Sequence, residues 1–160
     1  YLPLGPNSEL PKTPLGTVLS ISDKMDTICG LFLIGEKPTS SKDPYALRRA
    51  ALGIIRIIIA NQASLPLRII VEKSINSFPH KVVKSIYPGK KGKELKEIKQ
   101  SIIFEVINFF TERLKALLKD SSNIRGDIIN VLFENHAFDM KKNKKYSLLN
   151  FLFNQNVELF

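Results

Sequence analysis

The sequence predicts an all-α fold, on three observations. Apolar residues recur at intervals of three and four through every long patterned stretch, as on one face of a 3.6-residue helix. Alternation of period two never lasts long enough to argue for a sheet. A capping residue followed directly by proline occurs twice, at Thr13–Pro14 and Asp43–Pro44, the arrangement expected at a helix start.

Taken in order, residues 1–13 hold Pro3, Gly5, Pro6 and Pro11 and read as an extended lead-in. Thr13 then caps a first helix with Pro14 in its opening turn, where a missing N–H is harmless. Leu15, Val18, Leu19, Ser22, Met25 and Asp26 keep the helical spacing up to Cys29 and Gly30, and the helix is expected to end near Gly35. Glu36 to Lys42 read as an exposed loop. A second helix is expected from Asp43 as cap and Pro44 as first residue to about Asn61, with Ala46, Leu47, Ala50, Ala51, Ile54, Ile55 and Ile58 forming a wide apolar face. Pro66 opens a third helix that Phe78 and Pro79 close. Tyr87 to Gly92 is the clearest loop, and a boundary is placed there. Beyond it, Leu95, Ile98, Ile102, Val106, Phe109 or Phe110, Leu114 and Leu117 mark a long amphipathic helix from Lys93 to Lys119, about 40 Å at 1.5 Å per residue. Asp127–Asn135 and Ser147–Phe160 supply two shorter helical patterns. Eight of the ten phenylalanines follow residue 100, which argues for a separate aromatic-rich core in the second half. The expected organisation is therefore two consecutive helical bundles, residues 1–85 and 93–160.

Composition narrows the function. The 160 residues carry 24 Lys plus Arg against 15 Asp plus Glu, a net charge of +9 that suits a polyanionic partner such as nucleic acid. The bland reading is a solvated, lysine-rich surface. The excess is uneven: residues 1–80 hold 9 basic and 6 acidic groups, residues 81–160 hold 15 and 9. Lys81, Lys84, Lys90, Lys91, Lys93, Lys96 and Lys99 face only Glu94 and Glu97, and Lys141, Lys142, Lys144 and Lys145 form a second cluster beside Asn143 and Tyr146. The single cysteine, Cys29, excludes an intrachain disulfide and a multi-thiolate zinc site. Apolar runs such as Ile57–Ala60 fall far short of the roughly 20 residues that cross a bilayer. Opening at Tyr1 without Met and stopping at Phe160 inside an apolar stretch, the sequence is expected to be a piece of something longer.

No catalytic constellation stands out. His80 and His136 lie in no metal-binding or nucleophile motif, and Pro88–Gly92 lacks the spacing and the Ser or Thr of a phosphate loop. Asp23 and Asp26 share a helix face without further ligands close in sequence. The second helix differs. Tyr45, Arg49, Leu52 and Arg56 fall on one stripe beside Lys42, Asp43 and Arg48, which presents two guanidiniums with an aromatic ring. Phosphate binding and an ion-pair network with Asp23, Asp26 or Asp43 across a helix interface account equally for these residue types.

Three blocks in this region have a known counterpart. Ser22-Asp23-Lys24-Met25-Asp26-Thr27, then Gly30 to Gly35, then Ser41-Lys42-Asp43-Pro44-Tyr45-Ala46-Leu47-Arg48-Arg49-Ala50-Ala51-Leu52-Gly53 closely resemble the β subunit of bacterial two-subunit glycyl-tRNA synthetase. Tyr1-Leu2-Pro3 and Glu9-Leu10-Pro11 fit the same family. The resemblance is close to about Ile59 and continues as helical pattern, with residues 93–160 similar to the start of the family's anticodon-binding helical domain.

The resemblance implies a non-catalytic, tRNA-binding part of a glycine–tRNA ligase in the cytoplasm. Its partners would be glycine tRNA and the α subunit, and it would have no membrane association. The α subunit holds the adenylate-forming site, so ATP and magnesium serve the whole enzyme and no cofactor is expected here. Asp23 is similar to the last Asp of an HD-like domain whose His and His-Asp elements are missing from this sequence. An HD-type phosphohydrolase piece and a helical protein-interaction module are the alternative readings. Lys42, Arg48 and Arg49 sit in a recurrent family block, as tRNA contacts or as helix-holding groups. With Lys141, Lys142, Lys144, Lys145 and Tyr146 they make up the candidate tRNA-binding set.

Overall fold

The computed structural model describes residues 2–5, 8–39, 41–61, 63, 65–121 and 127. Among them are five helices, α1 (Pro14–Leu33), α2 (Leu47–Ala60), α3 (Leu67–Ser77), α4 (His80–Ile86) and α5 (Gly92–Ser121), and no strand. The all-α expectation holds for these residues.

Local chemistry sets most boundaries. Thr13 is extended, and its hydroxyl accepts the Gly16 N–H at 3.1 Å ahead of Pro14, as the sequence suggested. Gly35, at φ +83°, turns the chain after α1. Pro66 precedes α3 and Phe78 ends it in an extended conformation. The expected start of α2 is corrected: Pro44 and Tyr45 form a turn and the helix begins at Leu47. Ala46 stands just before it at φ +55°, a left-handed conformation that is costly for a residue with a Cβ. A short helix, α4, occupies a stretch for which no element was expected. Pro79 leads into it, and of its residues only Val83 is buried.

Apolar burial explains the packing. α1 pairs with α2, and α5 lies across α1, α2 and α3. A single core joins Ile28 and Phe32 of α1, Ile54 and Ile55 of α2, Val71 and Ile75 of α3, Val83 of α4, and Ile103, Val106, Phe110 and Leu114 of α5. The Phe32 and Phe109 rings meet with centroids 5.3 Å apart. Tyr87 follows α4, and its hydroxyl donates to Leu33 O at 2.6 Å; burial raises its pKa, with Lys37 opposing the shift. The Tyr87–Gly92 loop, with Gly89 and Gly92 at positive φ, therefore joins helices of one core within the described residues. The helices expected at 127–135 and 147–160 lie outside those residues, apart from Asp127 itself.

The lead-in is a packed strap. Pro3 is buried on Gly53, where an added Cβ would stand 3.1 Å from the ring of Pro3 and 3.2 Å from Lys24 Cε. Ser20 and Lys24 both donate to Leu2 O. Arg56 donates from Nη1 to Gly5 O at 2.9 Å and from Nη2 to Ser8 O at 3.0 Å. Lys24 is buried beside Ser20, its Nζ 3.0 Å from the hydroxyl, and burial lowers its pKa against the opposing field of Asp23.

Candidate nucleic-acid interface

The basic residues nearest the start of α2 are organised by two short loops of hydrogen bonds. Thr39 and Lys42 close a turn, the Thr39 N–H donating to Lys42 O at 2.9 Å and the Lys42 N–H to Thr39 Oγ1 at 3.2 Å. Asp43 then reaches forward: Oδ1 accepts from Leu47 N at 2.8 Å and Oδ2 from Arg48 N at 3.0 Å. The expectation of Asp43 as the N-cap residue is corrected, since Ala46 stands at that position; the Asp43 carboxylate still satisfies the first N–H groups of α2, from four and five residues back. Its negative charge occupies the positive end of the helix, where a phosphate would otherwise find N–H donors. Anion binding here must then come from side chains.

Those side chains divide into two kinds. Arg48 is half-buried and donates from its guanidinium to Thr39 O, tying the loop to the helix. Lys42 and Arg49 are exposed and form no ion pair among the described residues, and Tyr45 between them is 50% exposed. The stripe expected along α2 is thus split, because Arg56 turns to the strap carbonyls. The alternative of ion pairs between Arg49 or Arg56 and Asp23, Asp26 or Asp43 is not found among the described residues; Asp23 and Asp26 stand exposed. No three metal-ligating side chains come together among the described residues, and Asp23 and Asp26 by themselves do not fit a magnesium–nucleotide site.

Around α5 the lysines are partly neutralised. Lys90 pairs with Glu94 at 2.9 Å, Lys93 with Glu97 at 3.8 Å, and Lys37 with Glu105, while Lys99 donates to Asn76 Oδ1 at 3.3 Å. Lys90 also holds the Glu94 carboxyl below its usual range. Lys81, Lys84, Lys91 and Lys96 stay exposed without an ion pair among the described residues. Lys141, Lys142, Lys144, Lys145 and Tyr146 lie outside the described residues, as does His136; His80 is exposed at the start of α4.

Of the two roles the sequence left open for Arg48, the structure shows the structural one, while the Thr39 acceptor and the strap with Lys24 were missed. Backbone carbonyls carry no residue signature, so only Gly53 and Pro3 hinted at a close contact.

Comparison with known proteins settles the kinship. The family model described as glycyl-tRNA synthetase beta subunit matches residues 1–134. The chain belongs to this family. It is 36% identical over 140 residues to the glycine–tRNA ligase beta subunit of Clostridioides difficile, covering 88% of the chain and 18% of that relative. For the glycine–tRNA ligase beta subunit of Buchnera aphidicola the figures are 44% over 118 residues, 74% of the chain and 17% of the relative. For that of Pseudomonas entomophila they are 43% over 120 residues, 75% and 15%. The chain thus spans less than a fifth of the length of these glycyl-tRNA synthetase β subunits, which are subunits of an aminoacyl-tRNA synthetase by name.

Proposed function

We propose that this chain acts within a two-subunit glycine–tRNA ligase in the cytoplasm, as a non-catalytic part of the β subunit that holds glycine tRNA while the α subunit activates and transfers glycine. Family membership supports the enzyme context. The observation that carries the tRNA reading is the pair of exposed cations Lys42 and Arg49, held by a capped turn and uncompensated by carboxylates among the described residues. Lysines 81, 84, 91 and 96 extend the basic surface. Lys141, Lys142, Lys144, Lys145 and Tyr146 are proposed as a second contact, where lysines would meet phosphates and the tyrosine ring would stack on an unpaired base. ATP and magnesium are assigned to the α subunit.

The test is a fluorescence-anisotropy titration of glycine tRNA with the α–β enzyme at two salt concentrations. Lys42→Ala with Arg49→Ala is expected to weaken binding and to flatten the salt dependence by about 0.7–0.9 log units per log of salt for each lost phosphate contact. Arg48→Ala is expected to lower thermal stability more than tRNA affinity. An unchanged salt slope in the Lys42/Arg49 double variant would remove this surface from the tRNA path.

A further inference from the structure

The described residues hold two tyrosines, and they differ in kind. Tyr87 packs against the core, and its hydroxyl donates to Leu33 O at 2.6 Å. Tyr45 does neither: its ring lies outside the core, half exposed, and its hydroxyl has no hydrogen-bond partner among the described residues. Its backbone is nevertheless fixed. The Ala46 N–H closes the turn onto Asp43 O at 3.1 Å, while the Asp43 carboxylate and the Arg48 guanidinium tie the turn to α2 and to Thr39 O. Lys42 comes three residues before Tyr45 and Arg49 four after, both exposed and without an ion pair among the described residues. Phe104 on α5 is exposed to a similar degree, but Gln100, Ser101 and Asn108 stand one turn from it and bring no charge. Only Tyr45 thus combines, among the described residues, an idle aromatic face with two open cations close in sequence.

We propose that Tyr45 stacks on an unpaired base of the tRNA while Lys42 and Arg49 hold the flanking phosphates, so that this surface receives a single-stranded segment and not a helical stem. The inference rests on the tRNA reading above and adds the class of RNA structure that the site takes. In a stem each base is covered on both faces by its neighbours, and contacts run to phosphates and 2′-hydroxyls, for which an exposed ring has no use. An unpaired base offers a free face, and stacking removes both that face and the Tyr45 ring from water. The fixed turn favours the contact, because little backbone freedom is left to lose on binding. Asp43 already holds N–H groups at the start of α2, so the phosphates fall to the two cationic side chains.

The test uses the complete α–β enzyme and glycine tRNA, with Tyr45→Ala, Tyr45→Leu and Tyr45→Phe measured beside the Lys42/Arg49 double variant. Tyr45→Ala and Tyr45→Leu are each expected to weaken binding by about five- to hundredfold, and Tyr45→Phe to bind like the parent, because a π face is what the base requires. The salt slope should stay at the parent value in all three, since a stacking contact releases no counterion. At saturating enzyme, 2′-hydroxyl acylation of the bound tRNA should differ between the parent and Tyr45→Ala at nucleotides that are unpaired in the free tRNA. Parent-like binding by Tyr45→Ala, with a flattened slope in the Lys42/Arg49 variant, would overturn the stacking and leave the tRNA reading standing. An unchanged slope in the double variant would remove that reading and this inference with it. Loss in Tyr45→Phe equal to that in Tyr45→Ala would assign the contact to the hydroxyl and overturn the proposal. So would an acylation difference confined to paired nucleotides, or a loss of affinity that tracks a lower urea midpoint, which would make the ring a packing group.

Discussion

Asp43 holds two backbone N–H groups with one carboxylate, and this bond pair supports both the α2 start and the loop that carries Lys42. Asp43→Ala is expected to cost about 1–2 kcal/mol, read from urea unfolding, and Asp43→Asn to recover part of it. Cys29 gives a second residue-scale prediction. Burial raises its thiol pKa from 9.0 to about 11, with Asp26 adding to the shift and a Ser74 hydrogen bond opposing it. The unfolded thiol ionises first as pH rises, so the stabilising contribution is complete below pH 9 and is lost between pH 9 and about 11. The loss amounts to about 2–3 kcal/mol. Thiolate absorbance at 240 nm, taken as the difference from Cys29→Ala, should titrate near 11 in the native chain. At this scale much was legible in the sequence. Thr13 was recognisable as a cap, and Asp43 as an acceptor for the start of α2, because few residue types satisfy orphan N–H groups. The offset at Asp43 was not, because the same Asp-Pro pair serves a cap two or three residues before its donors and one reaching across the Pro44–Ala46 turn.

At the scale of elements, the lead-in has no helix or strand among its described residues, as the sequence suggested, but its packing as a strap was not legible. Its Pro- and Gly-rich composition matches a linker, and the partner that fixes it, Arg56, lies 48 and 51 residues away, bonded to carbonyls that any residue provides. The two half-buried bonds at Arg56 are charge-assisted, and Arg56→Met, which keeps most of the stem, is expected to cost about 2 kcal/mol. Gly53→Leu should expel Pro3 by direct overlap, since even a Cβ comes within 3.1 Å. Limited proteolysis is the measurement: both variants should be cut near Gly5 faster than the parent, and an unchanged cleavage rate would show that the strap is held elsewhere. α4 was missed for a related reason. Its seven residues bury only Val83, too little apolar periodicity to register.

For the molecule as a whole, turn chemistry was read as a domain boundary. Gly89 and Gly92 do reverse the chain, but whether the two sides share a core depends on contacts such as those between α3 and α5, which no local pattern encodes. Phe110, fully buried, is expected to cost about 3–5 kcal/mol when replaced by alanine. Because one core joins α1 through α5, loss of helical circular dichroism and exposure of the Cys29 thiol should coincide in the parent and in Phe110→Ala. Two separated transitions would mean that α5 unfolds independently. Kinship was legible from the blocks at 22–27, 30–35 and 41–53, and the structure gives these stretches physical content: they hold Lys24 under the strap, Gly30 under Phe78, and the Asp43 carboxylate at the start of α2.

The strap also has a mechanical meaning. Tension applied at Leu2 would not pass directly into the first turn of α1. It would be borne first by the carbonyl of Leu2 against Ser20 and Lys24, then by the two guanidinium bonds of Arg56, in shear along the α1–α2 pair. Force on the strap would therefore be shared between α1, through Ser20 and Lys24, and α2, through Arg56, before it reached the peptide link at Thr13.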